Sequence, residues 1–168
     1  MKAKVLLLFC IILIAGCTNQ TPKPITDAEK AAIIKEVTEF NQSSIDAFNK
    51  IDFTSWKSYF LNSPDFLAIL PDGSFRNYEQ EINHSKAFFE SVSSLHLTKL
   101  SEYNNVLARD LVITAFQIKT DATLKTGEKL TFEKLMITGI LKKIDNQWGA
   151  IFYQESGLPP SVTILEKK

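Results

Sequence analysis

The chain has 168 residues, 45% of them hydrophobic, 23% charged and 11% aromatic, with six Gly and six Pro. That mixture argues against a wholly disordered, collagen-like or multi-span membrane protein. Nineteen basic and nineteen acidic side chains balance to a formal charge of zero, so no basic surplus exists to hold a phosphate backbone, and nucleic acid is not an expected partner.

Lys2 and Lys4 precede an apolar run from Val5 to Leu13. A membrane-spanning helix needs roughly 20 apolar residues, so this run has instead the length of a signal-peptide core. Ile14-Ala15-Gly16-Cys17, followed by the polar Thr18-Asn19-Gln20, resembles the bacterial lipobox. The resemblance implies a signal peptide over residues 1–16 and a mature chain that begins at Cys17, which carries diacylglycerol and an N-acyl chain such as palmitate. A lipid bilayer is then a partner through acylated Cys17, and several acyl chains hold a protein far more firmly than one. The expected location is the cell envelope, exported and lipid-anchored. Thr18, where an aspartate favours inner-membrane retention, points to the periplasmic face of the outer membrane if the cell is Gram-negative. The plainer alternative is a secretory signal with a cysteine beside its cut.

Cleavage there leaves 152 residues, room for one domain with a sizeable core, and 17 basic against 19 acidic side chains. Cys10 departs and Cys17 is acylated, so the domain itself holds no disulfide, thiolate nucleophile or zinc-binding thiolate.

Residues 17–25 contain Pro22 and Pro24 and no apolar period, which predicts an extended tether. Thr26-Asp27-Ala28-Glu29 has the form of a capping box. Beyond it Ile33, Val37, Phe40, Ser44, Phe48 and Ile51 recur at helical spacing. Asp52 or Thr54 caps a second predicted helix through Trp56, Tyr59 and Phe60, stopped by Asn62-Ser63-Pro64. A short strand over Phe66 to Leu70 leads into a Pro71-Asp72-Gly73-Ser74 turn. A third helix fits Tyr78 to Val92, with Tyr78, Ile82, Ser85, Phe89 and Val92 inward. The period then changes to two, around Leu95, Val112 to Ile118, Phe132 to Ile140 and Trp148 to Phe152. Turns are expected at Asn104-Asn105, Thr126-Gly127 and Asp145-Asn146. Such short connections make antiparallel neighbours. The pattern is α+β, helices packed on one face of a curved antiparallel sheet, with residues 26–158 as the domain and 159–168 as a C-terminal tail.

This order resembles the nuclear transport factor 2-like superfamily, the cone-shaped fold shared by ketosteroid isomerases and polyketide cyclases (SnoaL-like domains). The likeness is carried by Ala47-Phe48-Asn49-Lys50-Ile51-Asp52, similar to A-x-N-x-x-D, and by Phe60, Asp65 and Pro71-x-Gly73, similar to F-x-x-D…P-x-G. Asn146-Gln147-Trp148 through Ser156 is similar to the closing G-x-W…H-x-S strand. It spans roughly residues 30 to 157.

Ketosteroid isomerases of this fold place an Asp base just before the Pro-x-Gly turn and a Tyr oxyanion donor on the first helix. The resemblance puts these positions at Leu70 and Ser44. Leucine cannot accept a proton, and serine donates from a shorter arm with a higher pKa. Asp72, two residues from the base position, reads as an exposed turn former. Relatives often carry His at two positions of the last strand, which here are Phe152 and Gln154. No catalytic residue is therefore assigned. His84 and His96 are isolated and make a poor metal site, so neither a metal nor a cofactor is expected.

The candidate lining of a ligand pocket is Phe40, Ser44, Tyr59, Phe66, Phe88, Phe116, Met136, Phe152 and Gln154, with Phe132, Thr114 and Glu155 beside them. Filling of the cone by its own aromatic side chains is the plain alternative for each. Members of this fold dimerise through the outer face of the sheet, and Ile113, Ala115, Leu135, Ile137, Leu141 and Ile151 are expected to form such an apolar face. The expected function is a membrane-anchored module that binds a small apolar ligand or takes part in assembly, as a homodimer. The alternatives are an isomerase-, cyclase- or hydratase-type enzyme with a carboxylate in the cone, and a structural or immunity-like protein whose core is closed.

Overall fold

The structure, a computed structural model, describes residues 23–164. The expected signal peptide and Cys17 lie outside those residues. Helix α1 spans Asp27–Asn49, opened by the capping box: Glu29 N donates to Thr26 Oγ1 at 3.2 Å and Thr26 N donates to Glu29 Oε2 at 2.8 Å. One stripe of α1 buries Ile33, Val37, Asn41 and Ile45. The helix ends at Asn49, and just past its cap stands Ile51, whose φ of 55° is left-handed and sterically costly for a β-branched residue. Three bonds hold this stop in place. Ile51 N donates to the Phe48 carbonyl, Asp52 N to the Ala47 carbonyl, and Lys50 N to the Asp46 carbonyl.

The motif residues around that stop each have a physical task. Asn49 pairs with the backbone of Leu97, donating Nδ2 to its carbonyl at 3.1 Å and accepting its N–H at 2.6 Å. That pairing fixes the end of α1 on the sheet. Asp52 caps α2 (Phe53–Lys57), accepting from Ser55 N at 3.0 Å. Helix α2 is shorter than its apolar pattern suggests. Tyr59 and Phe60 have left the helix to pair with strand backbone: Ala150 N donates to the Tyr59 carbonyl, and Leu61 N to the Ala150 carbonyl.

Strands β1 (Leu67–Ile69) and β2 (Phe75–Arg76) form a small hairpin around Gly73, whose φ of 81° suits the turn. Helix α3 (Tyr78–Ser91) is capped by Asn77 and passes directly into β3 (Val92–Ala108), so Val92 begins a strand instead of ending a helix. Then follow β4 (Leu111–Leu124), β5 (Glu128–Ile144), β6 (Gln147–Gly157) and β7 (Ser161–Ile164). The sheet order is β2-β1-β6-β5-β4-β3, with β7 added to β5.

Four expectations need correction. The sheet is mixed, because β1 runs parallel to β6. Asn104-Asn105 is strand, not turn: Asn104 Nδ2 is tied to Thr38 Oγ1 and Glu102 Oε1, so β3 runs on to a turn at Arg109-Asp110. Part of the presumed tail, Ser161–Ile164, is a sheet strand. The expected outer face also mixes two faces, since Leu135, Ile137 and Leu141 point inward with Thr114 and Phe116 while Ile113 and Ala115 point outward.

Five register shifts bend the sheet over the helices: three in β3 against β4, at Val92/Ser94, Lys99/Ser101 and Val106/Ala108, one between Ile118 and Thr120 against β5, and one between Ala150 and Phe152 against β5. Such bulges add local twist and bend the bulged strand. The α1 end of the cone is closed by Ile33, Val37, Val112, Leu141, Trp148 and Ala150. Each is buried to 8% exposure or less, and together they supply much of the apolar burial that stabilises the fold. No helix among the described residues is long and apolar enough to cross a membrane.

Candidate functional site

Beyond that closed end the helices stand away from the sheet and leave a cavity of about 510 Å³, within the usual size of small-molecule sites. Its wall takes alternate residues from each strand: Thr114, Phe116, Ile118 and Thr120 from β4, Leu135, Ile137 and Gly139 from β5, and Tyr153 and Glu155 from β6. The helices contribute aromatic rings. Phe40 meets Tyr59 edge to face at 5.0 Å between centroids, and Trp56 meets Phe60 at 4.5 Å. Phe48 stacks on Phe88 at 6.2 Å. Edge-to-face and offset contacts of this kind hold the rings in fixed orientations.

Five of the nine sequence-derived lining candidates, Phe40, Ser44, Tyr59, Phe88 and Phe116, line this cavity, as do Phe132, Thr114 and Glu155. Phe66 does not reach the wall; it is 3% exposed in a core cluster with Ala68 and Tyr153. Met136, Phe152 and Gln154 lie on the opposite face of the sheet. For Phe152 and Gln154 the cause is the bulge: Ala150 pairs with Leu141 but Phe152 pairs with Ile140, so Ile151 is an extra residue and the alternation inverts. Tyr153 and Glu155 therefore face inward in their place.

The polar end of the cavity is built by α3, β2 and β6. Glu81 is 2% exposed and accepts from two sides, Ser85 Oγ donating at 2.6 Å and Arg76 Nη1 at 3.2 Å, with the Tyr153 phenol close enough to feel its charge. Burial, then the negative charges of Glu81 and Glu155, push the Tyr153 phenol well above its ordinary range, so it stays a neutral donor. Glu155 differs from Glu81 in having no donor among the described residues. Burial, followed by repulsion from Glu81 and only partly offset by Arg76, pushes its carboxyl up to about 7. Such a group changes charge near neutrality and can accept, donate or pair with a cation.

A second polar cluster sits across the cavity. Asn41 Nδ2 donates to Thr114 Oγ1 at 2.9 Å and to Glu102 Oε1 at 2.8 Å, while Lys99 caps the other oxygen of Glu102. Burial alone raises Glu102, but the bonds from Lys99, Asn41 and Asn104 outweigh it and hold the carboxyl below its usual value. Apart from Asn104 Oδ1, which has no partner among the described residues, these groups satisfy one another, so their task is to stiffen the wall. Among the described residues, no three His, Cys, Asp or Glu side chains converge on a metal position.

Residues 37–160 match the family described as the SnoaL-like domain. The chain belongs to that family. Solved structures with the same fold include a nuclear transport factor 2-like superfamily protein from Salmonella enterica, 19% identical, covering 76% of this chain and 92% of its own, with a TM-score of 0.67. A candidate scytalone dehydratase from Novosphingobium aromaticivorans is 5% identical, covers 85% and 94%, and superposes with a TM-score of 0.70. A hexachlorocyclohexane dehydrochlorinase from Novosphingobium barchaimii is 9% identical, covers 82% and 94%, and has a TM-score of 0.67. At these identities the likeness is one of fold. No curated protein matches the sequence.

In this SnoaL-like domain the two isomerase-type positions, Leu70 and Ser44, do sit on the cavity wall. The Ser44 hydroxyl is already spent on the Asn41 carbonyl at 2.8 Å. Asp72 accepts from Ser74 N at 2.9 Å in the turn, and its hydrogen bonds to Ser74 hold its carboxyl below the usual range. Glu81, Arg76 and Tyr153 were not singled out from the sequence. For Glu81 a signal was present: it lies one turn before Ser85 and two before Phe88 on the inward face of α3.

Proposed function

We propose that this SnoaL-like domain is a ligand-binding module carried on a membrane-anchored lipoprotein, with a small, mostly apolar molecule held in the cone. The observation that carries the reading is the aromatic-lined cavity of about 510 Å³ with hydrogen-bonding groups gathered at one end. Apolar walls supply affinity through burial, and a few placed polar groups supply orientation. The anchor rests on the lipobox-like Ile14-Ala15-Gly16-Cys17 and the apolar run before it. Acylated Cys17 would hold the domain on a bilayer of the cell envelope, and the outer sheet face would pair two copies.

The test has two arms. Protein isolated from the envelope of its host is analysed by native mass spectrometry, and the expected result is a small molecule retained on the chain. A chain that carries nothing, and that takes up no apolar probe, overturns the binding reading. In the second arm Cys17→Ser is expected to leave the precursor uncleaved and unlipidated. Normal processing and detergent-phase partitioning of that variant overturn the anchor.

A second reading, an isomerase-, cyclase- or hydratase-type enzyme, is favoured by Glu155. A carboxyl poised near 7 in a largely apolar cavity suits proton abstraction, and the dehydrochlorinase and the candidate dehydratase share this fold. Deuterium uptake at the acidic carbon of a cyclic ketone, abolished by Glu155→Gln, would establish it.

A further inference from the structure

The polar end of the cavity is unevenly equipped, and the imbalance points to a charge type. Its charged wall groups are Asp72, Glu81 and Glu155 against Arg76, with His84 near the opening. Arg76 is engaged with Glu81 at 3.2 Å, so an anionic ligand would find no free guanidinium and would meet three carboxyl groups. A neutral ligand would leave Glu155 without a partner. Among the described residues, Glu155 is the one acidic side chain on the wall without a hydrogen bond or ion pair, Arg76 favouring its charge only from beyond contact distance. Glu81 accepts from Ser85 and Arg76, and Asp72 has its own turn.

We propose that the ligand of the cone is an amphiphilic cation, a mostly apolar skeleton carrying one ammonium-type group that seats against Glu155. This rests on the ligand-binding reading above and names the class of molecule. The pair formed there would be strengthened by the largely apolar, partly buried surroundings, where an unpaired charge is costly. The rings of Phe40, Trp56 and Tyr59 line the same space, and aromatic faces attract cations by roughly 0.5–2 kcal/mol. The rest of the wall, from Phe116 to Ile137, takes an apolar skeleton.

Protonation of Glu155 must then control affinity. The groups facing it are Glu81 from α3, Arg76 from β2 and Tyr153 from its own strand, with Ile137 opposite it on β5. Burial and Glu81 disfavour its ionised form and Arg76 favours it. A bound cation adds a second favourable charge, so binding draws the carboxyl into its ionised state. Affinity for a cation rises as pH passes upward through 7, and affinity for a neutral analogue stays flat.

The experiment uses three probes on one skeleton: 2-(1-naphthyl)ethylamine, 2-(1-naphthyl)ethanol and 3-(1-naphthyl)propanoate. Each is titrated calorimetrically into the full-length chain in detergent, with a detergent-only blank, at pH 5.5 and pH 8. At pH 8 the amine is expected to bind about tenfold more tightly than the alcohol, equivalent to about 1.4 kcal/mol, and the propanoate most weakly. At pH 5.5 the preference for the amine should shrink to about threefold or less, and Glu155→Gln should remove it at both pH values. A preference for the alcohol or the propanoate overturns the proposal, as does an amine preference that survives Glu155→Gln or ignores pH. The wild-type pH arm decides the matter if the variant does not fold. Absence of binding by all three probes overturns the ligand-binding reading itself.

Discussion

Arg76 Nη1 donates to Glu81 Oε2 at 3.2 Å across the gap between β2 and α3, and the two side chains are only 19% and 3% exposed. This pair fastens the β1–β2 hairpin to α3 at the polar end of the cavity. Removing one member of a buried pair leaves the other charged and unsatisfied, which typically costs about 3–5 kcal/mol. Glu81→Ala is expected to lose stability of that order in urea denaturation. Glu81→Gln, which keeps an acceptor for Ser85, should lose about 1–3 kcal/mol. A Glu81→Ala variant as stable as the parent would show that the pair does not fasten the hairpin.

Glu155 and Glu29 impose opposite pH dependences. The folded-state value of Glu155 is raised to about 7 from an ordinary 4.5. Its contribution is therefore complete below pH 4.5 and is lost as pH rises through 7. Glu29 is lowered to about 2, first by the hydrogen bond from Arg109 and then by Thr26. Its contribution is present above 4.5 and fades as pH falls toward 2. Thermal unfolding followed from pH 4.5 to pH 8 should show falling stability in the parent and a flatter profile in Glu155→Gln. At pH 8 the variant should melt about 2–4 °C higher, on the order of 1 kcal/mol. Parallel profiles for the two chains would contradict this assignment.

The alternation rule shows where sequence reasoning reaches its limit in this chain. Elements defined by local chemistry were readable: the Thr26/Glu29 box, the Asp52 cap, the Gly73 and Gly127 turns, and the Asp145-Asn146 turn with its positive φ values of 49° and 64°. Strand faces were readable only up to the first bulge. One extra residue at Ile151 moves Phe152 and Gln154 outward and Tyr153 and Glu155 inward, and nothing in Ala150-Ile151-Phe152 distinguishes a bulge from regular strand. The parallel pairing of β1 with β6 joins residues more than 80 positions apart, which no local pattern reports. Asn104-Asn105 misled for a third reason, because tertiary bonds to Thr38 and Glu102 outweigh its turn propensity.

Gly149 gives a test of how the loop after α2 supports the cavity. A Cβ there would stand 2.6 Å from Leu61 Cγ and 2.7 Å from its Cδ2, closer than side-chain carbons pack. Leu61 cannot retreat freely, because its N–H donates to the Ala150 carbonyl at 2.9 Å. Relief requires moving the Tyr59-Phe60-Leu61 segment, two of whose rings line the cavity. Gly149→Ala is expected to cost about 1–3 kcal/mol in stability and to weaken binding of an apolar probe. Unchanged stability would mean that the loop yields without cost.

The outer sheet face carries the last prediction. Register aligns Tyr103, Ala115, Thr138 and Gln154 in one row, with Asn105, Ile113, Ile140 and Phe152 in the next. Tyr103 is 66% exposed, Leu107 50% and Met136 37%, an apolar surface of the kind that marks an interface. Two copies meeting on this face would bury those side chains and leave both cavities open on the opposite side of each sheet. The parent chain is expected to sediment as a dimer at tens of micromolar, after allowance for bound detergent. Tyr103→Glu places a charge in the middle of the contact and is expected to give a monomer that still binds the apolar probe. A monomeric parent would exclude the dimer, and a Tyr103→Glu variant that stays dimeric would move the interface off this face.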